Sequence, residues 1–416
     1  MTYPVTVVTT IDFSTGATFG FPFILGDPKF GVLGVGTLAE SAADYVDVSN
    51  QVMSISIRGG YNLLQDQFQA GQATIRINDP QGWYNPQNPE SPYFGKLVPL
   101  RKIRVSGNYD GNSYYLFSGY IQAYNYSYPK DFTTGFVDII AADAFRLLNL
   151  ANITEVAGAA AGDTTGDRIN QILDVISWPE SLREIDTGDN TVQNDPSTTR
   201  QALAALKNVE QSEGIGAFYA QAEGDLVFLS RHNLQAKAGQ TPIQFANDGT
   251  HIGYYGLTFA NDDKLIINEA TFTPRGLTSQ SYSDAESIAK FFPHSINFND
   301  LVMQTEAQAY NGAVSYVTTR KNTSLRIDSL TLDLNTPDYS AGILAALSMD
   351  YFTVISILTD AQAGTSINKT LQILGANHDI TPSSWRATFT TGEPIIDSFI
   401  LNSDTWGVLG INTLSY

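Results

Sequence analysis

The sequence predicts a mainly β protein with an α+β insert. It comprises two related β-barrel domains, a small α+β module between them, and extended terminal arms. Three observations lead there. Short runs of alternating apolar and polar residues fill 51–150 and return after Asn261. Helical spacing is strongest in the stretch between them. Charged residues make up only 16% of the 416, against about 25% in ordinary soluble chains, while Tyr, Phe, Thr, Asn and Gly take their place and suit strands and turns.

Residues 1–45 read as an N-terminal arm, rich in Gly and Thr and without sustained periodicity. Residues 46–150 form the first β domain. Met53, Ile55 and Ile57 alternate with Ser54, Ser56 and Arg58, and Ala73, Ile75 and Ile77 alternate with Thr74, Arg76 and Asn78. Asp110-Gly111 marks a hairpin between Ile103–Val105 and Tyr114–Phe117. Runs at Tyr120–Tyr124 and Phe136–Ala141 complete the set. Between strands, Asp79–Pro99 carries five prolines together with Trp83, Tyr84, Tyr93 and Phe94, so it is expected to be an ordered loop.

The α+β middle domain spans 151–249. Thr164 and Asp167 resemble a capping box ahead of Ile169, Ile172, Leu173 and Ile176, which share one helix face. Trp178-Pro179 ends that helix. A second helix is expected from Thr198 to Glu213, capped by Thr198 with Gln201 and stopped by Gly214. Glu223-Gly224-Asp225 makes a further hairpin. The second β domain covers 250–392, with strands at Leu265–Phe272, Leu325–Leu334, Tyr351–Leu358, Ile367–Leu374 and Trp385–Phe389. Short helices follow Asp284 and Thr305. Lys102–Asp143 and Tyr351–Thr391 share a strand and turn pattern, which points to a duplicated fold. Residues 393–416 form a C-terminal hook.

The two ends echo one another. Nine of sixteen positions agree between 23–38 and 399–414. The shared features are Phe23-Ile24-Leu25 with Phe399-Ile400-Leu401, and Gly31-Val32-Leu33-Gly34 with Gly407-Val408-Leu409-Gly410; Phe30 corresponds to Trp406. Apolar termini of this kind need covering. Phe23, Ile24, Leu25, Val32, Leu33, Phe399, Ile400, Leu401, Trp406, Val408 and Leu409 are therefore the candidate interface residues, acting within the chain or on a neighbour.

The formal net charge is −19, from 42 acidic and 23 basic residues. That opposes nucleic-acid binding, which rests on Lys and Arg neutralising phosphates. With no cysteine, disulfides, thiolate metal sites and cysteine catalysis are excluded. No run of 18 apolar residues occurs, and Met1 to Phe21 lacks the basic start of a signal peptide. A soluble chain made in the cytosol is expected.

Candidate chemistry is sparse. His232, His251, His294 and His378 show no zinc spacing, and His378 is expected in a turn. Asp262-Asp263, and Asp186 with Asp189 and Asp195, read as solvated acidic loops rather than calcium loops. GxSxG and P-loop patterns are absent, and a carboxylate pair for glycoside hydrolysis carries no information among 42 acids. Tyr124, Tyr126 and Tyr128 share a strand face. Without interleaved Lys or Arg they read as packing or a subunit contact. No cofactor or metal is expected.

Four segments in order resemble the minor tail proteins, or tail-hub proteins, of long-tailed bacteriophages. They are Phe68–Asp79 running into Tyr84–Asn88 and Ser91–Gly95; Asp167–Asp174 with Trp178-Pro179; His378–Pro382 with Trp385; and the ending Phe399–Tyr416. One departure is that the family's acidic residue directly after the upstream Leu is replaced here by Gln65, with Asp66 one place later. The resemblance implies a non-enzymatic virion component at the tail tip, with two tail-tube-like barrels per chain and a homotrimer whose pseudo-sixfold ring joins a sixfold tube to a threefold tip. It also implies other tail proteins above and below, assembly in the host cytoplasm, and passage of genomic double-stranded DNA without specific binding. An acidic channel wall is expected to aid that passage. The alternatives are a hexameric distal-tail adaptor ring, a receptor- or carbohydrate-binding tip protein, and a cell-wall hydrolase.

Overall fold

The computed structural model describes residues 4–13, 45–63, 66–128, 135–336, 339–360 and 366–394. All eleven candidate interface residues of the two terminal hooks lie outside them.

A first β unit contains β1 (Thr6–Asp12), β2 (Tyr45–Asp47), β3 (Val52–Asn62), β4 (Gln67–Asn78), β5 (Lys102–Tyr109), β6 (Asn112–Ser127) and β7 (Phe136–Ala142). A middle module follows with α1 (Phe145–Leu150), β8 (Asn152–Ile153), α2 (Thr165–Val175), β9 (Arg183–Ile185), β10 (Arg200–Gln201), α3 (Ala202–Glu213), β11 (Ala217–Ala220), β12 (Leu226–Leu229) and α4 (Arg231–Ala238). The second β unit begins with β13 (Ile243–Ala246) and β14 (Gly256–Ala260). It is interrupted by β15 (Glu269–Pro274), β16 (Gln280–Ser283), α5 (Ala285–Phe291), β17 (Ser295–Leu301) and α6 (Glu306–Arg320). It resumes with β18 (Arg326–Asp333), α7 (Ser340–Ser348), β19 (Val354–Asp360), β20 (Ser366–Thr381) and β21 (Ser384–Gly392).

Both β units belong to one 13-stranded sheet. Its order is β14-β18-β21-β20-β3-β4-β7-β6-β5-β1-β2, with β19 also on β20 and β13 on β19. The units repeat one plan. β3-β4-β7-β6-β5 corresponds to β14-β18-β21-β20-β19, in the same chain order and the same antiparallel pairings. The long strands β6 and β20 each run 16 residues and each shift register near the middle, at Ile121/Ala123 and at Ile373/Gly375. This bears out the pattern match between Lys102–Asp143 and Tyr351–Thr391. Among the described residues, no pairing closes either unit into a barrel.

Local signals explain much of the first unit. Asp110 and Gly111 both take positive φ, 48° and 78°, as a two-residue turn between β5 and β6 requires. The Pro-rich loop is ordered by the buried carboxylate of Asp79. It accepts from the Trp83 and Tyr84 amides at 2.7 and 3.2 Å and from the Tyr128 hydroxyl at 2.9 Å. Tyr84 then packs on Tyr93, which stacks on Phe13. Part of the expected N-terminal arm proves to be sheet. β1 pairs with β5 from Thr6 to Ile11, burying Thr9 and Ile11, and its doubled Val and Thr residues obscured the alternation.

In the middle module the Thr164/Asp167 capping box forms as expected. The next helix departs from expectation. It starts at Ala202, its N-cap Gln201 makes no side-chain cap bond, and Thr198 does not cap it. Gly214 ends it at φ 86°. In the second unit, the strand expected at Leu265–Phe272 is displaced to Glu269–Pro274, and β19 begins only at Val354, after Phe352 at φ 65°. Residues 269–320 are an inserted α/β module with a core of its own. Ala270 and Phe272 of β15 pack there against Ala309, Ala313, Tyr316 and Val317 of α6. α5 is capped by Asp284 and α6 by Thr305, as their sequences indicate.

An internal ion pair ties that insert to the first β unit. Arg320 at the end of α6 donates to both oxygens of Asp66 at 3.0 Å, and its guanidinium lies 3.9 Å from the Tyr316 ring centre. Tyr61 also donates to Asp66. Both charged side chains are largely shielded from water. Arg320→Met leaves the shielded Asp66 carboxylate with the Tyr61 hydroxyl but without its counter-charge. It is expected to lower unfolding free energy in urea by about 3–5 kcal/mol, with part of the loss recovered on adding Asp66→Asn.

Candidate assembly surface

Where the two β units meet, residues 375–380 of β20 pair with 55–60 of β3. The approach is very close. A Cβ on Gly60, whose φ is 145°, would lie 2.4 Å from the Gly375 Cα and 2.7 Å from the Leu374 carbonyl oxygen. One on Gly375 would lie 2.9 Å from the Gly59 carbonyl oxygen. Glycine is the residue that allows such a join.

Rows of side chains run unbroken across this junction. On the inner face Leu332, Ala387, His378, Ile57, Ala73 and Ala141 follow in register from β18 to β7. Trp385, Ile380, Ile55, Ile75 and Ile139 form the next inner row. All these residues are buried. They feed one core shared by both units, in which the Trp385 ring lies over Gly107 of β5, 3.1 Å from where a Cβ would stand.

The opposite face is polar. One row reads Asp333, Arg386, Asp379, Ser56, Thr74. Another reads Thr331, Thr388, Asn377, Arg58, Gln72. Arg58 forks onto Asp379 across the junction at 2.6 and 2.9 Å. Arg76 forks onto Asp138 at 2.7 and 2.8 Å. Arg386 stands between Asp333 and Asp379 in register and stacks on Tyr255 at 4.5 Å. On these rows each Asp thus stands beside an Arg. The expected acidic wall is not found on this face. The pairs are exposed, so each adds at most about 1 kcal/mol; they set register and neutralise charge.

His378 is not the turn residue expected from sequence. It sits inside β20, buried, between the rings of Trp385 and Phe389, and accepts from Trp385 Nε1 at 3.4 Å. Burial drives its pKa down to about 4. Among the other sequence candidates, Asp186 and Asp189 accept from the Ser230 and His232 amides at 2.8 Å. Asp195 pairs with Arg200, and Asp262 with Arg326. The buried Glu213, which the sequence did not single out, gathers Thr165 Oγ1 and the Asp189, Asn190 and Arg231 amides. These carboxylates organise loops. Tyr126 and Tyr128 stack with ring centres 6.1 Å apart, and Tyr128 is tied to Asp79.

In this duplicated, mainly antiparallel β fold with two α/β modules, the chain is similar to solved phage tail proteins. A tail protein from Neisseria meningitidis MC58 matches with a TM-score of 0.57 at 12% identity, over 94% of this chain and 97% of its own. The 43 kDa tail protein of prophage MuSo2 from Shewanella oneidensis matches with a TM-score of 0.52 at 12% identity, over 85% of this chain and 96% of its own. No family model and no curated protein matches the sequence.

Two outcomes follow from the junction. Gly60→Ala is expected to cost at least about 2 kcal/mol, seen as a lower thermal midpoint. The second concerns acid. His378 has a folded pKa near 4 against about 6.5 unfolded, so it withdraws stability as pH falls from about 6.5 to 4. Asp143, raised to about 7 by burial, acts in the opposite sense, so a paired comparison is needed. His378→Asn should gain on the wild type by up to about 3 kcal/mol between pH 7 and pH 4 in urea titrations.

Proposed function

We propose that this chain is a structural subunit of a bacteriophage tail, in which copies close into a hub ring at the tail tip and no catalysis is performed. The carrying observation is the internal junction. Unit two joins unit one by laying β3 along residues 375–380 of β20. The counterpart of β20 in unit one is β6, and the counterpart of β3 in unit two is β14. Among the described residues, no strand pairs with the β5-side edge of β6 beyond Ile121, and β14 pairs only with β18. Repeating the internal join between molecules puts β14 of one copy antiparallel to residues 122–127 of the next.

Further support comes from that edge. Tyr255 and Phe259, at and beside β14, are 60% and 41% exposed. An apolar edge strand left open is a template for pairing. With two units per chain, three copies give six equivalent units, the arrangement needed to join a sixfold tube to a threefold tip. The polar face suits a passage for double-stranded DNA. Its arginines already face carboxylates, so little attraction through phosphate neutralisation is left.

The test is the mass of the purified assembly, with imaging for a central hole. Three chains per ring are expected. Thr258→Pro combined with Phe259→Lys on β14 should give single chains with unchanged circular dichroism. Assembly that survives this change, or a wild type that stays a lone chain beside its tail partners, overturns the proposal.

A further inference from the structure

An open cleft of about 200 Å³ lies where the sheet, the middle module and the inserted module meet. Its apolar lining includes Leu63, Ile215, Ile267, Ile296, Phe298 and Leu374. The charged groups that line it each have an opposite partner: Glu210 pairs with Lys207, and Lys264 with Asp262. Arg320 holds Asp66, and Arg326 holds Asp262 and Asp328. The cleft therefore favours an apolar strip over a charged ligand.

The end of β21 forms part of the same wall, through Thr391, Gly392 and Glu393. Glu393 is fastened there, accepting from Lys369 Nζ and Ser324 Oγ, each at 2.7 Å. After Pro394 the sequence continues Ile395-Ile396-Asp397-Ser398-Phe399-Ile400-Leu401, with five apolar residues in seven. Extended, seven residues reach roughly 23 Å. A segment tethered two residues from the wall meets the cleft at an effective concentration of millimolar order, an advantage no free partner shares.

We infer that the cleft is the docking site of residues 395–401 of the same chain, so that the C-terminal hook is anchored within its own subunit. This goes beyond the ring and does not depend on it. The absence of native cysteine makes the test clean. Phe399→Cys or Leu401→Cys is combined with Gln211→Cys or Asn322→Cys, two positions lining the cleft, in the full chain under mild oxidation. A disulfide within one chain is expected for at least one pair, with none in a Thr74→Cys/Phe399→Cys control on the polar face. A disulfide between chains, or thiols that stay free in every pair, overturns the inference. As a second readout, Ile400→Asp should speed maleimide labelling of the thiol introduced by Gln211→Cys at least tenfold; an unchanged rate overturns it. Assembly mass, recorded on the same samples, reports separately on the ring.

Discussion

The backbone contact of Gly59 and Gly60 with Gly375 fixes everything larger in this molecule. Strand pairing has a period of two, so a slip of one residue would turn every side chain to the opposite face. Here the slip is blocked at both levels. The glycines leave no room for a shifted Cβ, and the inner rows ending in Leu332 and Trp385 would be driven into water. The register then sets the core. Ile55, Ile57, Ile75 and Ile77 of unit one pack in the same cluster as Trp385 and Phe389 of unit two, so the units cannot separate without opening it. The modules follow from the same register. Phe68 of β4 and Leu374 of β20 belong to the middle module's core, and Asp66, just before β4, holds the insert through Arg320.

Sequence reading reached what is encoded locally. Asp110-Gly111, Thr164 with Asp167, Asp284, Thr305 and Gly214 each act within a few residues, and each does what its chemistry indicates. The duplication was legible only as a pattern. Equivalent strands place apolar residues at equivalent positions but do not require the same ones. The junction was not legible. Gly60 and Gly375 lie 315 positions apart, and a glycine inside a strand pattern says only that some backbone comes close. The inserted module was hidden because β15 and β17 carry ordinary alternation and pair with each other in parallel, so nothing nearby marks them as leaving the main sheet. The buried role of His378 was missed because the adjacent Asp379 is exposed, and alternation alone does not say which of the two faces inward.

The charge distribution bears on function through location rather than total. A net charge of −19 reads as a repulsive surface when averaged over the molecule, yet the polar face of the sheet is balanced. Much of the acidity is used in the loops and modules, where carboxylates hold backbone N–H groups. Asp79 orders the Pro-rich loop, Asp143 joins β4 to α1 through the Gly71 and Phe145 amides, and Glu213 collects three amides around α3 and α4. A carboxylate suits that task because it accepts several hydrogen bonds at once. In the proposed tail role, a face along which a polyanion passes would need no strong repulsion. It would need its cations occupied, since each free Arg or Lys adds a place where a phosphate can displace counterions and hold. Arg58, Arg76 and Arg386 each stand beside a carboxylate, and the residues between them are Ser, Thr, Asn and Gln. That composition, continuous across the glycine junction, would suit the proposed passage better than the overall charge does.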